Sequence, residues 1–343
     1  MIKKSNTKNP TGSTRTSPTR SSTSSILKAE SKASPSRDRD GASNHNNFSP
    51  SEYLKLIDAS ELVLMEVPPK RKHWGKLIQS NQTGMLYGPR GKGKTWICLA
   101  IAMAMASGTN FLGHGPKNRR RVIYMDGEMD VHTFKGRLAK LAPSLKIDVP
   151  KGLRIFTPES YAGLLPSVAT PQGIDEINRL IGTEWDVLFL DNYSAWSDGR
   201  ETSESWAPVM KWMLSHKHAG RTVILVHHAG KSGAQRGSSR HEDALDWSIA
   251  LKPIMNGLDD GSLQVSLEWE KARHLASNET PPLRVVMRST ESGALEWSSH
   301  PLETQNDLAV KAKELSAQGM SNAQIANTLG KHRDTIRLWL KPK

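Results

Sequence analysis

From about residue 51 to residue 304, short apolar runs alternate with stretches whose apolar positions recur at helical spacing. The runs at residues 85–87, 122–126, 153–156, 186–191 and 222–228 predict strands, and residues 96–106, 131–141, 172–181 and 206–218 predict the helices between them. Strands that are apolar throughout have no polar face to turn to water, so they predict a parallel sheet covered by helices on both sides. Residues 263–270, 283–287 and 295–297 lie closer together and are bounded by Asp-Gly and Ser-Gly turns, which predicts antiparallel strands extending that sheet.

The pattern changes at both ends. Residues 1–50 are rich in Ser, Thr, Asn, Pro and Arg without apolar periodicity. Such a segment buries too little surface to offset its ordering entropy, and a disordered tail is expected. Near the other end, Leu308, Ala312 and Leu315 fall at helical spacing over residues 307–317, and Gly319 follows. Ser321 is placed to cap a helix over 322–329, Gly330 breaks the chain, and residues 331–340 predict a third helix. Three short helices joined by Gly-containing turns read as a helix-turn-helix. The expected fold is therefore an α/β core at 51–304, with a basic tail at 1–50 and a small all-α unit at 305–343.

Composition sharpens this picture in two respects. The net charge of +13 is uneven: residues 1–50 hold nine basic side chains against three acidic, and residues 305–343 hold seven against three. The two ends thus carry +10 of the total, which points to a polyanion partner, most often nucleic acid; the competing reading is solubility alone. The longest apolar run is far short of the ~20 residues a membrane span needs. Nothing near Met1 reads as a signal peptide, and the lone Cys98 sits in an apolar helix, so a reducing cytoplasm and no membrane are expected.

The candidate chemistry centres on Gly88-Pro89-Arg90-Gly91-Lys92-Gly93-Lys94-Thr95, which fits the P-loop pattern G-x-x-x-x-G-K-[ST] with a strand before it and an apolar helix, opened by Trp96, after it. Its glycines let successive backbone N–H groups converge on one anion, aided by the helix N-terminus. Gly88 to Trp96 form the predicted nucleotide site, with Lys94 reaching the β- and γ-phosphates of ATP or GTP and Thr95 a ligand of Mg²⁺. Hydrolysis further needs a carboxylate for the metal, a group to orient water, and a cation for developing charge. Asp191 ends an apolar strand and is the natural second Mg²⁺ ligand, directly or through water. Glu128, closing Tyr124-Met125-Asp126-Gly127-Glu128, is placed to polarise water; Asp126 and Asp130 read alternatively as helix caps.

The order P-loop, Asp-Gly-Glu, Leu-Phe-Leu-Asp, Val-His-His, Arg-Gly-Ser-Ser and Lys-Ala-Arg resembles the RecA-like core of hexameric replicative helicases, with plasmid RepA-type and phage or mobile-element ATPases nearest. The resemblance covers about residues 60–300. It implies that Glu128 activates water and that His228, rather than His227, senses the γ-phosphate; a satisfied core histidine is the rival reading. It also implies a site shared between subunits of a ring, the partners being further copies of the chain in a hexamer. Lys271 and Arg273 then act as the Lys-x-Arg pair presented to the neighbour, with Arg236 the other candidate finger; the alternative for all three is a solvated cation. Two loops, Tyr193 to Ser205 and Gly230 to Gly237, should face the channel. The second, with Lys231 and Arg236, suits a grip on single-stranded DNA. The first is acidic through Asp198, Glu201 and Glu204, which suits it poorly.

Residues 319–330 resemble the helix-turn-helix of resolvase and invertase DNA-binding domains. That resemblance makes residues 331–339 the recognition helix, with His332, Arg333, Thr335 and Arg337 as contacts to duplex DNA and Trp339 packing between helices. A partner-binding three-helix module is the alternative. The leading expectation is an ATP-driven DNA motor working with a replication initiator or primase. An ATP-dependent DNA-binding regulator and a loader acting on partner proteins are the two competitors.

Overall fold

The computed structural model describes residues 56–161, 163–198, 203–229, 244–254, 261–303 and 305–341. Its centre is a nine-stranded sheet. The P-loop strand β3 (Thr83–Gly88) is followed in the chain by β4 (Val122–Asp126), β5 (Leu153–Phe156), β6 (Val187–Asp191) and β7 (Thr222–His228). Then come β8 (Trp247–Pro253), β9 (Leu263–Ala272), β10 (Leu283–Ser289) and β11 (Leu295–Pro301). The strand order is β11-β10-β9-β8-β3-β7-β6-β4-β5. Strands β3 to β8 are mutually parallel, and β9 to β11 add antiparallel neighbours beyond β8. This is the expected α/β architecture, a mainly parallel sheet with an antiparallel extension.

Alternation along each strand divides the core in two. On one face Leu86, Tyr124, Phe189 and Val226 pack with helices α2 (Lys94–Ser107) and α3 (Val131–Ser144). On the other, Met85, Met125, Leu190 and Leu225 pack with α4 (Pro171–Ile181), α5 (Tyr193–Trp196) and α6 (Ser203–His218). Helix α2 is buried nearly all round, because α3 and the small hairpin of β1 (Lys72–Trp74) and β2 (Ile78–Gln79) cover the sides the sheet leaves open. The short α1 (Ala59–Leu64) buries none of its residues.

Strand β8 was not expected. Ser248 interrupts its apolar run, and it is defined by pairing with β3 and β9 rather than by its own pattern. A Cβ on Gly84 would lie 2.1 Å from the Trp247 ring, so the bare glycine makes room for the indole that seats β8 beside the P-loop strand. Residues 1–50, expected as a disordered tail, lie outside the described residues. Helices α7 (Gln305–Ala317), α8 (Asn322–Leu329) and α9 (Arg333–Trp339) pack on their own small core of Ala312, Ile325, Ala326 and Ile336, with Trp339 against it. The Ser321 cap is present as a reciprocal capping box with Gln324.

Candidate nucleotide-binding site

Strand β3 delivers the chain at Gly88 into a loop that closes on the N-terminus of α2. Gly91 (φ 71°) and Gly93 (φ 77°) both adopt left-handed conformations that side chains disfavour. A Cβ on Gly93 would also lie 2.1 Å from Leu263 at the start of β9, so the antiparallel extension braces the loop from behind. The Lys94 ammonium donates to the carbonyls of Gly88 (2.9 Å) and Pro89 (2.8 Å), folding across the nest. Burial lowers its pKa, while the charges of Asp191 and Glu128 oppose that shift.

The strand ends supply the acids. Asp191 is buried, accepts from the Tyr124 hydroxyl at 2.7 Å and is hydrogen-bonded by the Thr95 side chain. Burial raises its pKa; the two hydroxyls and Lys94 pull it back. Asp126 lies opposite Asp191 in the β4–β6 register. Burial and the Asp191 charge push it up to about 7, against the backbone N–H groups of Met129 (2.6 Å) and Glu128 (2.9 Å). Those two bonds pin the turn that carries Glu128, whose side chain remains 56% exposed and approaches His228 (Oε1 to Nε2, 3.9 Å). His228 ends β7 in register with Gly88. Glycines 91 and 93, Lys94, Thr95, Glu128, Asp191 and His228 thus line one cleft of about 250 Å³. Thr95 and Asp191 place two hard oxygens together beside an anion nest, a donor set that suits Mg²⁺, which keeps waters and substrate oxygens for its remaining positions.

A match to the AAA domain family covers residues 48–234, more than half of the chain. The chain belongs to this AAA domain family. Its members are P-loop ATPases that generally bind ATP with Mg²⁺, and the P-loop, Glu128, Asp191 and His228 all lie within the matched range. Among solved structures, the chain is similar to the flagellar accessory protein FlaH from Methanocaldococcus jannaschii, at 14% identity over 65% of this chain and 91% of that one, with a TM-score of 0.45.

The remaining predicted residues of this AAA domain protein fall elsewhere. His227 is fully buried with its ring edge-on to Tyr193 (5.4 Å), a core position away from the cleft. Lys271 and Ala272 end β9 level with Ser248 and Trp247, and Trp247 pairs with Gly84. Gly84 lies four residues before Gly88, so at ~3.3 Å per residue the Lys271–Arg273 segment is about 13 Å down the sheet from the P-loop. Arg273 donates its backbone N–H to Asp246 (2.9 Å), and neither cation lines the cleft. Lys231 and Arg236 lie outside the described residues. The Tyr193 to Ser205 segment is not the open loop expected. Tyr193 and Trp196 form a helical turn buried against Phe156 and Trp206, because their aromatic surface is worth more in the core than in a channel, and residues 199–202 lie outside the described set. In the C-terminal unit, His332 is the N-cap of α9, its Nδ1 accepting from Asp334 N (3.4 Å). Arg333 and Arg337 are exposed and Thr335 is half-buried.

Four cleft residues escaped the motif reading: Asp126 as more than a cap, Met129, Asn192 and Arg137. Asp126 and Asn192 adjoin recognised acids, and that adjacency was the available signal. Arg137 gave none, since its place depends on how α3 packs against α2. Asp130, by contrast, is the α3 N-cap, accepting from Thr133 N at 2.9 Å.

Proposed function

We propose that this ATPase is the DNA-translocating motor of a plasmid, phage or mobile element, a ring-forming replicative helicase of RepA type. The observation that carries the reading is the separation just described. The cleft gathers the phosphate nest, Lys94, Thr95, Asp191 and Glu128, while the Lys-x-Arg pair sits at the opposite rim and reaches no phosphate of its own subunit. A pair so placed would meet a nucleotide only in a neighbouring copy. In the cycle, the P-loop N–H groups and Lys94 hold the triphosphate, and Glu128, steadied by Asp126, accepts the proton of the attacking water. His228 beside Glu128 registers whether the γ-phosphate is present. Mg²⁺ held by Thr95 and Asp191 supplies neutralisation of charge on the phosphate oxygens. Lys271 and Arg273 of the next subunit complete the transition-state charge, a contribution worth ~10³–10⁵ in rate for such fingers.

Mixing inactive Glu128→Gln and Arg273→Ala subunits tests the shared site, since each brings the half the other lacks. Restored ATPase activity supports the ring, and additive inactivity opposes it. ATPase assays with and without single-stranded DNA, mass measurement with bound nucleotide, and a strand-displacement assay with Lys94→Ala as control test the motor. Stimulated turnover and ATP-fuelled unwinding are expected. The exposed Arg333 and Arg337 on α9 favour one second reading, an ATP-dependent duplex-binding regulator. It prevails if the protein binds duplex DNA in an ATP-linked way but unwinds nothing. A rate that ignores DNA yet responds to a protein partner would establish a loader instead.

A further inference from the structure

Arg137 stands on α3 one turn after the buried Phe134 and one turn before the buried Leu141, at the edge of the stripe that faces α2. Its guanidinium lies 5.0 Å from the centre of the Trp96 ring. Trp96 is the residue after Thr95, so this stacked pair adjoins the metal-binding end of the P-loop, and both side chains line the cleft. The other cationic side chains of that lining, Lys92 and Lys94, belong to the P-loop itself.

The pairing of Arg137 is unusual for a half-buried arginine. Three carboxylates share the cleft with it, Asp126, Glu128 and Asp191, yet among the described residues none makes an ion pair with it. Asp191 takes hydroxyl donors, Asp126 takes backbone N–H groups, and Glu128 turns to His228. The indole shields the guanidinium from water on one side without using any of its five N–H donors. A planar fork held this way suits bidentate recognition of a phosphate.

We propose that Arg137 binds the triphosphate tail of the nucleotide in its own subunit, with Trp96 as the platform that holds it. This rests on the ATPase site alone and not on the helicase reading. It assigns ground-state grip to a cation of the same chain and leaves the transition state to cations from elsewhere. The stack is then a device that pre-orients the guanidinium, so less rotamer freedom is lost when phosphate arrives.

The test uses the full chain and equilibrium binding of Mg-ATP, ADP and inorganic tripolyphosphate. Arg137→Gln should weaken ATP and tripolyphosphate binding by about 10- to 100-fold, the scale of charge-assisted hydrogen bonds. The mutant's KM should rise by more than its kcat falls, as loss of binding common to ground and transition states requires. Arg137→Lys should recover part of the affinity, because charge returns without the fork. Trp96→Leu should cost only about 2- to 5-fold, the scale of a partly exposed cation–π contact. Urea unfolding without nucleotide confirms that each variant is folded. The proposal is overturned if Arg137→Gln binds ATP within about twofold of the parent. It is equally overturned if ATP binding weakens while tripolyphosphate binding does not, which would move the contact to the base or ribose.

Discussion

Two aspartates bracket strand β6 and have opposite electrostatic fates. Asp186, just before the strand, is buried, which alone would raise its pKa. The backbone N–H of Arg121 and the guanidinium groups of Arg71 (2.9 Å) and Arg121 overcome this and hold it below the usual carboxylate value. Asp191, at the other end, is pushed above that value because burial outweighs two hydroxyl donors and Lys94. The same contrast extends along the sheet. At the lower rim Asp246 accepts from Thr83 N (2.8 Å) and pairs with Lys217 (2.7 Å), and His73 accepts from Arg120 (3.1 Å). At the upper rim Asp126 and Asp191 crowd together under Lys94. Charges settled within the chain hold the fold together; charges left costly at the strand tips gather at the cleft that, in the proposed function, Mg²⁺ and phosphate complete.

The largest effects should come from the upper rim. Lys94→Ala and Glu128→Gln should each lower ATP turnover by about 10³-fold, the range of lost phosphate stabilisation or lost general-base help. Glu128→Gln should still bind ATP, which separates chemistry from grip in a parallel binding titration. If Glu128→Gln turns over ATP at the parental rate, the base lies elsewhere and the upper rim loses its defining residue.

Next is the acid limb of stability, which belongs to the lower rim. Burial, then the charge of Arg120, lowers the His73 pKa to about 3, and burial, then Arg221, lowers that of His216 to about 4. Each folded value lies below the unfolded ~6.5, so the unfolded chain takes up the proton first as pH falls. Their contribution is complete above about 6.5 and drains as pH drops toward the folded values. At pH 5 the loss is about 2 kcal/mol for each histidine, about 4 kcal/mol together, relative to pH 7.5. Urea unfolding at the two pH values measures it, and His216→Phe, filling the slot between Trp185 and Trp212, should remove about half of the difference.

The two rims differ also in how far the sequence reveals them. P-loop geometry demands particular residues in a row, so Gly88 to Thr95 could be read directly, and Asp191 and Glu128 could be read from their places at strand ends. Doubly covered strands announce themselves by unbroken apolar runs. Strand β8 does not, since Ser248 breaks its run and its place beside β3 depends on the room Gly84 leaves for Trp247. Asp126 is raised by burial and then by its cross-strand neighbour Asp191, 65 residues away in the chain, and Arg137 reaches the cleft only through the packing of two helices. The lower-rim pairs Asp186–Arg71 and Asp246–Lys217 likewise join residues distant in sequence. Local backbone demands are legible, whereas partners chosen by tertiary packing are not.

A direct comparison of the bracketing acids follows in size. Asp186→Asn should cost about 2–3 kcal/mol in urea unfolding, because it removes the charge that satisfies two arginines, and should leave turnover near parental. Asp191→Asn should do the reverse, abolishing Mg²⁺-dependent turnover while leaving stability equal or higher, since a buried charge held at a cost is gone. Equal destabilisation by both would show that the rims do not differ.

The smallest expected effect tests the link between them. Tyr124 is fully buried on β4, stacked on Phe189 at 5.4 Å, and its hydroxyl donates to Asp191. Tyr124→Phe keeps the ring and removes only the donor, so packing is preserved. Asp191 then loses one of the bonds that favour its ionised form, and its pKa should rise further. Because Mg²⁺ needs the carboxylate ionised, the Mg²⁺ concentration giving half-maximal ATPase should rise by about 10-fold, the equivalent of one hydrogen bond to a charged group at ~1.5 kcal/mol. The shift should shrink at higher pH, where Asp191 is ionised regardless. A Mg²⁺ dependence unchanged at every pH would mean that Tyr124 merely fills the core and that Asp191 is tuned by Thr95 and Lys94 alone.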